Sequence, residues 1–582
     1  MKKFLGILLA LTMLLSLGAT SLADDASAIA AKDMTWYLCS ADEVRTQPVY
    51  FVGDSDVPYI SLEDWAELYP YLLRNNTYKN QHISFDLAFS RDGETGTLTR
   101  TDGAPYTMVV DCAADTITFY DYDAFLRPEE DRVLLDVLTA DSPHSDDDMQ
   151  LFRRTEGSYE RYGDQVVLDC GAYGIDLAAD ENGVYVPMQT ISDFLLSLKY
   201  INLYYNGEVI IFAEFGKLED AQTQELTALG ELFYSTGERE LSEAMGRFNY
   251  AELCLVFDNL YGLKDVHGIE SFEELTLQTG TRGALMGTDP NAADAALFGI
   301  LWVHLDDQHS GFNKASPWCR DGLFMEMVTE KGIGRSTLAS LSEMERYGAA
   351  RATAFPDGVP AYQEVGNTAY ITFDKFASIP EGVNYYETAP TADNTDTIGI
   401  IIYAYSRIMR EDSPIENVVL DLSNNDGGDA DTAIFVLSAF LGEGYGSLKN
   451  TMTGALATGV YNVDVNLDGK FDENDRGLLG KKLFCLTSLN SFSCGNFVPS
   501  VFKNSNIVTL IGKTSGGGSC VVLPLTTAYG SIFQISGPHR LAFTKNGSFY
   551  DIDQGAEPDY TLSFPESFYD REALTEYING IR

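Results

Sequence analysis

The chain has 582 residues, of which 45% are hydrophobic and 12% aromatic, and its formal net charge is -47. This composition is typical of globular proteins, and a chain of this length is expected to form two or three domains with sizeable cores. The excess of carboxylates argues against nucleic acid and anionic membranes as partners, because phosphate binding requires clustered basic charge.

The first residues predict a secretory signal peptide over positions 1–23. Lys2 and Lys3 precede an apolar run at 4–17, and small residues end the segment at Ala23. This order is typical of exported bacterial proteins, and the run is short for the ~20 residues of a membrane span. We therefore expect a secreted or cell-envelope-associated protein without membrane insertion. The eight widely spaced cysteines predict neither a disulfide framework nor a CxxC metal site.

Residues 34–215 are predicted to form a β-rich α+β domain. NLYYNGEVIIFAEF (202–215) indicates a hairpin at its Asn-Gly pair. YISLEDWAEL (59–68) and YVPMQTISDFL (185–195) each predict a strand that continues into an amphipathic helix. This repeat resembles the small domain named for the copper amine oxidase N-terminus, which implies a packing or binding module, with cell-envelope contact as one role. Copper binding is not expected, because the only imidazoles here are those of His82 and His144.

Helices are predicted to dominate residues 216–350. Leu226, Leu229 and Phe233 share one helix face, and Asp289 followed by Pro290 marks the start of a later helix. Strands and helices then alternate over 351–565, which is typical of an α/β core. The final residues, 566–582, predict a C-terminal helix.

The segment NSFSCGN (490–496) contains three candidate nucleophiles, which are Ser491, Ser493 and Cys494. It lies between a predicted buried strand and a predicted helix start, where the helix dipole stabilises developing negative charge. An α/β-hydrolase is excluded, because residue 491 is not Gly and no acidic residue lies between Cys494 and Pro538.

A second turn, LDLSNNDGG (420–428), ends in paired glycines, which allow backbone N–H groups to point at a ligand. Its order with SFSCGN (491–496) and the loop GKTSGGGS (512–519) resembles the tail-specific (C-terminal processing) proteases and the tricorn-type serine peptidases of clan SK. This resemblance implies a crotonase/ClpP-like ββα core. It also implies that Ser493 is the nucleophile and that the Gly428 and Cys494 N–H groups hold the oxyanion.

The chain departs from that family pattern at three positions. Ser423 replaces the family Arg, Asn496 replaces a Glu, and Gly518 stands where the tail-specific branch has its lysine base. The tricorn branch instead uses a histidine, and the DDQHS segment supplies His309 at the matching place. We therefore expect that one general base has been exchanged for another.

Two assignments around this base have alternatives. His539 is the alternative base, whereas His304 continues an apolar stripe and is expected in the core. The third triad member is sought in FYDIDQGAEPD (549–559), where the family position falls on Ile552. We choose Asp553 as the residue that orients the imidazole, and its neighbour Asp551 is the alternative.

The segment DVNLDGKFDEND (464–475) has the register of an EF-hand calcium loop. Calcium prefers six to eight oxygen ligands, and the glycine at the sixth position permits the sharp turn. The flanks predict strand and loop, so we expect a single structural Ca²⁺. Its predicted ligands are Asp464, Asn466, Asp468, the Lys470 carbonyl, Asp472 and Asp475.

These features predict a secreted serine endopeptidase that acts on peptides or proteins, with structural calcium and no organic cofactor. Two other functions remain open. The first is a non-catalytic extracellular protein that binds peptide or cell-envelope polymer, and the second is a peptidase with Cys494 as its nucleophile.

Overall fold

The computed structural model of the protein describes six stretches of the chain, and the predicted signal peptide, His82 and His144 lie outside them. Within the described residues, no helix is both long and apolar enough to span a bilayer. The predicted combination of a β-rich region, a helical segment and an α/β core is confirmed. The described stretches are residues 28–39, 43–75, 84–127, 151–218, 223–380 and 382–581.

A seven-stranded sheet contains the predicted repeat. Two of its strands each continue directly into a helix, Leu62–Arg74 and Met188–Leu195, and the two strands pair antiparallel with each other. The predicted Asn-Gly hairpin is confirmed, with Tyr205 opposite Ile210. In sheet order the strands are Ala178–Ala179, Val184–Pro187, Tyr59–Ser61, Glu43–Val52, Ile29–Leu38, Val209–Glu214 and Ile201–Tyr205.

A five-stranded antiparallel sheet forms the rest of the β-rich region. Its inner face carries aromatic residues, and the rings of Phe119 and Tyr122 meet edge to face at 4.9 Å. In sheet order the strands are Leu87–Asp92, Thr95–Arg100, Thr107–Asp111, Thr116–Phe119 and Val166–Asp169, and the short helices Tyr122–Leu126 and Cys170–Tyr173 accompany them.

The segment between the β-rich region and the core is largely helical, as predicted. The Asp289 side chain caps the helix that begins at Pro290 by accepting the Asn291 N–H. That helix ends in a π-helical turn, and His304 on this turn is exposed, so its predicted core position is wrong. The helices and short 3-10 turns from residue 197 onward are Ser197–Lys199, Gln224–Phe233, Tyr234–Thr236, Glu243–Leu260, Phe272–Thr279, Arg282–Leu285, Pro290–Gly299, Ile300–Leu305, Leu323–Lys331 and Arg335–Ala354.

A six-stranded sheet forms the centre of the α/β core. All its neighbouring strands pair in parallel except the first two, so the nucleophile turn and the double-glycine turn both follow the carboxyl ends of adjacent strands. In sheet order the strands are Tyr362–Val365, Thr368–Thr372, Asn417–Asp421, Lys482–Thr487, Val508–Gly512 and Tyr560–Thr561. The helices are Thr397–Ile408, Ala430–Leu441, Glu473–Gly480, Cys494–Ser505, Glu566–Tyr569 and Arg571–Asn579.

A second core sheet includes a strand from the β-rich region. The strand Phe152–Arg161 pairs antiparallel with Leu456–Val463, about 300 residues further along the chain. The remaining strands of this sheet are Gly311–Lys314, Gly444–Asn450, Cys520–Thr526, Ile532–Lys545 and Ser548–Tyr550. The β-rich region therefore shares a sheet with the core.

A buried carboxyl pair lies where the β-rich region packs on the helical segment. Asp193 accepts a hydrogen bond from the Gln189 side chain at 2.7 Å, and Glu252 accepts one from the Thr190 hydroxyl. The Gln189 side chain also donates to the Thr526 carbonyl of the core at 2.9 Å. Burial raises the pKa of both carboxyls. The interface therefore favours their protonated forms.

Candidate active site

Ser493 occupies a sharp turn immediately before the helix Cys494–Ser505. Its backbone has φ 55° and ψ −122°, a conformation that L-residues rarely adopt and that costs roughly 1–3 kcal/mol. Hydrogen bonds hold the turn: the Ser493 N–H donates to the Gly517 carbonyl at 2.9 Å, and the Ser493 carbonyl accepts the Phe497 N–H at 2.8 Å. Such strain is common at functional sites, and here it presents the serine at the positive end of a helix.

The other two candidate nucleophiles are engaged in the fold. Ser491 is fully buried, donates to the Leu422 carbonyl at 2.7 Å and accepts the Ser488 N–H at 2.9 Å. The Cys494 thiol lies 3.2 Å from the Gly428 carbonyl and donates to it. Burial raises the pKa of this thiol, which disfavours the reactive thiolate.

The double-glycine turn lies directly against the serine. Gly427 and Gly428 have φ 105° and 128°, which favour glycine. A Cβ on Gly427 would lie 2.6 Å from the Ser493 Cβ and 3.1 Å from its Oγ, and a Cβ on Gly428 would lie 2.3 Å from the Phe376 carbonyl oxygen. Both positions therefore require glycine for close approach as well as for conformation.

The predicted oxyanion donors lie on the two sides of this contact. Among the hydrogen bonds of the described residues, none uses the backbone N–H of Gly428 or of Cys494. Both residues line the same cavity as Ser493. Two amide donors are thus available next to the serine, one from the glycine turn and one from the helix N-terminus.

His309 packs beside the nucleophile turn. Its ring is buried and its centroid lies 4.6 Å from the ring centroid of Phe492, which immediately precedes Ser493. A Cβ on Gly518 would lie 3.2 Å from His309 Cε1. The imidazole therefore lies against the loop position where the tail-specific branch has its lysine.

The environment of His309 keeps its imidazole neutral. Burial lowers the pKa of His309, and the charges of Asp307 and Asp553 oppose this shift. A neutral imidazole is the form that a general base requires. Two hydrogen bonds fix the His309 backbone: its N–H donates to the Asp307 carboxylate at 3.0 Å, and its carbonyl accepts a hydrogen bond from the Gln534 side-chain amide at 2.9 Å. The ring itself makes no hydrogen bond to any described residue.

Asp553 lies on the loop side of the site and is held by an arginine. Its carboxylate accepts the Ser519 N–H at 2.7 Å and the Ser519 hydroxyl at 3.1 Å, and it forms an ion pair with Arg540. Arg540 also contacts Asp551 at 2.8 Å. Both candidate acids therefore share one guanidinium, and Asp553 acts on His309 through its charge.

Asp307 is a second carboxylate near the base, and the sequence interpretation missed it. It accepts the Ser536 hydroxyl and the Tyr261 hydroxyl, each at 2.8 Å, besides the His309 N–H. Its charge acts on His309 in the same sense as that of Asp553. The sequence feature that could have indicated Asp307 is its position two residues before His309, from which an Asp side chain can accept a hydrogen bond from the backbone N–H.

Comparison with known proteins identifies the core. Residues 367–562, about a third of the chain, match the model of Peptidase family S41. This region is a peptidase family S41 domain. The predicted resemblance to the tail-specific and tricorn-type peptidases is confirmed, and the predicted enzyme class, a serine peptidase, agrees with it. The resemblance of the β-rich region to the copper amine oxidase domain stays a prediction.

The similar proteins found beyond this family match are distant. A Chlamydia pneumoniae protein is 29% identical over 113 residues, which is 18% of this chain and 16% of the relative. The photosystem II D1 C-terminal processing protease has 17% identity and a TM-score of 0.26, over 38% of this chain and 49% of that chain. Mature CPAF complexed with lactacystin has 12% identity and a TM-score of 0.35, over 58% and 97% of the two chains.

The residues that replace family positions in the S41 domain have structural contacts. Asn496 accepts the Ser515 hydroxyl at 2.7 Å and donates to the Ile552 carbonyl at 3.0 Å, which ties the nucleophile helix to two loops. Ser423 donates to Asp421 at 2.6 Å, and Arg571 pairs with the same buried carboxylate at 2.6 Å. A guanidinium therefore reaches this strand end from the C-terminal helix.

His539, the alternative base, and Lys513 of the loop 512–519 are engaged elsewhere. Lys513 pairs with Glu343 at 3.1 Å. His539 Nε2 lies 3.9 Å from Asp123 Oδ1 of the β-rich region. His309 is thus the histidine that the fold brings to the nucleophile turn.

The cavity at Ser493 has a volume of about 460 Å³. Gly428, Cys494 and Gly518 line it on the side of the S41 domain. The β-rich region supplies further lining residues: Lys199 and Tyr200 precede its strand Ile201–Tyr205, Glu214 ends its strand Val209–Glu214, and Phe215 follows. Lys217, two residues further on, also lines the cavity. The β-rich region therefore forms part of the wall of the candidate active site.

The predicted calcium loop is tightly wound. The fully buried Asp464 carboxylate accepts the Gly469 N–H at 2.7 Å and the Tyr386 hydroxyl at 2.9 Å, and Gly469 has φ 76°. Asp475, at the other end, accepts the Val465 N–H at 3.0 Å, and burial raises its pKa.

The side chains between these two ends are also bound within the loop. Asn466 accepts the Asp468 N–H at 2.9 Å, Asp468 accepts the Lys470 N–H at 2.9 Å, and Asp472 accepts the Asn474 N–H at 2.8 Å. The donor set is all oxygen, which suits calcium. No three or more His, Cys, Asp or Glu side chains converge as a metal site within the described residues.

Proposed function

We propose that the chain is a serine endopeptidase in which Ser493 is the nucleophile and His309 the general base. The observation that carries this proposal is the strained serine at a helix N-terminus, packed against Gly427 and beside two unused amides. The position of His309 against Phe492 and Gly518 supports its role.

The geometry supports the following reaction. Ser493 Oγ attacks the substrate carbonyl carbon while His309 removes the hydroxyl proton. The carbonyl oxygen becomes an oxyanion, which accepts hydrogen bonds from the Gly428 and Cys494 N–H groups. His309 then protonates the leaving amine as the peptide bond breaks, and water hydrolyses the acyl-serine with His309 again as base. Asp553, with Asp307, stabilises the imidazolium through its charge.

Hydrolysis of a denatured protein mixture by the purified full chain tests this proposal. Ser493→Ala should lower the rate by at least about 1000-fold, because the nucleophile is removed. Cys494→Ala keeps the backbone N–H and removes only the thiol, so it should retain activity. Equal rates for wild type and Ser493→Ala would overturn the proposal, and an inactive Cys494→Ala with an active Ser493→Ala would favour a cysteine peptidase.

A second candidate function is a non-catalytic protein that binds peptide or cell-envelope polymer. It is favoured by the engagement of Asp553 with Arg540 and by the His309 ring, which donates no hydrogen bond to a described residue. This function predicts that wild type and Ser493→Ala bind an extended peptide equally and that neither cleaves it.

We also propose that the protein is secreted and that its β-rich region contacts the cell envelope. The sequence of residues 1–23 supports export. Expression of the full chain in a bacterial host should yield a product outside the cytoplasm whose first residue follows Ala23. A cytoplasmic product that retains these residues would contradict export.

The loop 464–475 is further proposed to bind one structural Ca²⁺. Asp464, Asn466, Asp468, Asp472 and Asp475, with the Lys470 carbonyl, would hold it, and the ion would offset the charge of the buried Asp464. The short helix Glu473–Gly480 connects the loop to the strand Lys482–Thr487, which leads to Ser493. Titration calorimetry should detect one site, with a dissociation constant on the order of 10⁻⁴–10⁻³ M.

A further inference from the structure

A second cavity, of about 640 Å³, lies next to the candidate active site. Its size is within the range of ligand pockets. Much of its lining is aromatic or aliphatic, from Trp302, Phe312, Phe324, Leu341 and Met344. None of these five residues belongs to the catalytic machinery proposed above.

Two segments of this cavity's lining lie close to the candidate active site. Phe215 lines both cavities, while Gly216 lines the second and Lys217 the first. On the other side, Gln308 and Ser310 line the second cavity, and they are the chain neighbours of His309. The two cavities therefore share Phe215 as a lining residue, and the second cavity lies beside the segment that carries the base.

The aromatic wall of the second cavity is fixed by its own contacts. The Trp302 indole N–H donates to the Phe312 carbonyl at 3.3 Å, so its polar atom is already bonded. The rings of Phe312 and Phe324 are nearly parallel, with centroids 6.4 Å apart. Leu341, on the helix Arg335–Ala354, remains 49% exposed at the rim. A rigid apolar wall with an exposed aliphatic rim suits an apolar side chain.

We propose that the second cavity is a specificity subsite, which binds an aliphatic or aromatic side chain of the peptide substrate at a fixed distance from the bond held at Ser493. An extended peptide advances by about 3.3–3.6 Å per residue, so a chain that leaves the first cavity past Phe215 would enter the second within a few residues. The inference rests on the proposed peptidase function. Filling the subsite should raise kcat/KM by about 10- to 100-fold over a polar residue.

The test is a cleavage profile of a diverse peptide library by the full chain, read by mass spectrometry. Wild type should select an apolar residue at one fixed position from the cleaved bond. Leu341→Asp places a charge on the rim and should lose this selection by at least about 10-fold. Leu338→Asp is the matched control, because Leu338 is 55% exposed on the same helix and does not line the cavity.

Labelling of Ser493 by a fluorophosphonate shows in parallel that the catalytic centre is intact in both variants. Unchanged selection in a labelled, active Leu341→Asp would overturn the subsite and leave the peptidase function standing. Equal loss of selection in both variants would also overturn it. Absence of any Ser493-dependent cleavage in wild type would overturn the proposed function and the subsite together.

Discussion

Substitution of Gly428 by alanine should disable the oxyanion site without removing any side chain that acts in the reaction. The new Cβ would lie 2.3 Å from the Phe376 carbonyl oxygen, whereas ordinary contacts begin at 3.4 Å. The turn must therefore move by about 1 Å. An amide holds an oxyanion only at donor–acceptor distances of about 2.7–3.1 Å, and the shift is larger than the width of this window. We therefore expect kcat to fall by about 10²–10³-fold.

The displacement cannot be absorbed easily in the surrounding loop. The Phe376 N–H donates to the Gly427 carbonyl at 2.7 Å, and the Asp429 N–H donates to the Phe376 carbonyl at 2.8 Å, so the two segments are bonded on both sides of Gly428. Strain at φ 128° adds roughly 1–3 kcal/mol of destabilisation.

Steady-state kinetics on a peptide chosen from the library measures this effect, with circular dichroism to confirm folding. KM should change little, because the lost interaction forms mainly in the transition state. Gly547→Ala is the control: it has φ 75° and a Cβ there would meet nothing within 4 Å, so it should cost stability only. A folded Gly428→Ala with the kcat of wild type would refute the assignment of its amide.

Three other outcomes are expected. The apparent pKa of the acid limb of the kcat/KM profile should lie below the usual imidazole pKa of about 6.5. Asp307→Asn should lower this apparent pKa further, because the Asp307 carboxylate raises the pKa of His309; a higher apparent pKa in the variant would contradict this. The protonated Asp193–Glu252 pair contributes its full stabilisation below about pH 4, the ordinary pKa of a carboxyl group being about 4. This stabilisation is lost as the pH rises through the raised pKa values of the two groups. Calorimetry should therefore show that Glu252→Gln loses less stability than wild type between pH 5 and pH 9, and an equal or larger loss would count against protonation of the buried pair. Excess calcium, at about 100 times its dissociation constant, should add about 2.7 kcal/mol and raise the melting temperature. Asp464→Asn should abolish this increase and Asp412→Asn, which is 91% exposed, should retain it; an increase unaffected by Asp464→Asn would rule out the loop.

Local patterns made much of the fold predictable. The Asn-Gly hairpin, the Asp289 cap and the strand-to-helix repeats depend on residues a few positions apart, and all three are confirmed. The pairing of Phe152–Arg161 with Leu456–Val463 had no such signal, because its partners are about 300 residues apart. His304 was misplaced because a π-helical turn rotates it off the stripe that an α-helical period predicts.

The candidate site was predictable where backbone conformation limits residue choice. The double glycine and the serine before a helix start marked two close-packed turns, and the structure brings them into contact. The ion pair of Asp553 with Arg540, the carboxylate of Asp307 and the second cavity each depend on tertiary packing between distant segments. Their residues carry no distinctive local pattern, so the sequence alone could not assign them.

The most direct test of the Ser493–His309 pair is mass spectrometry of the wild-type chain after reaction with a fluorophosphonate. Our account predicts one adduct, on Ser493, which disappears in His309→Ala and persists in His304→Ala, whose histidine is exposed. An unmodified Ser493 in the folded wild type, or an adduct that forms equally fast in His309→Ala, would contradict it.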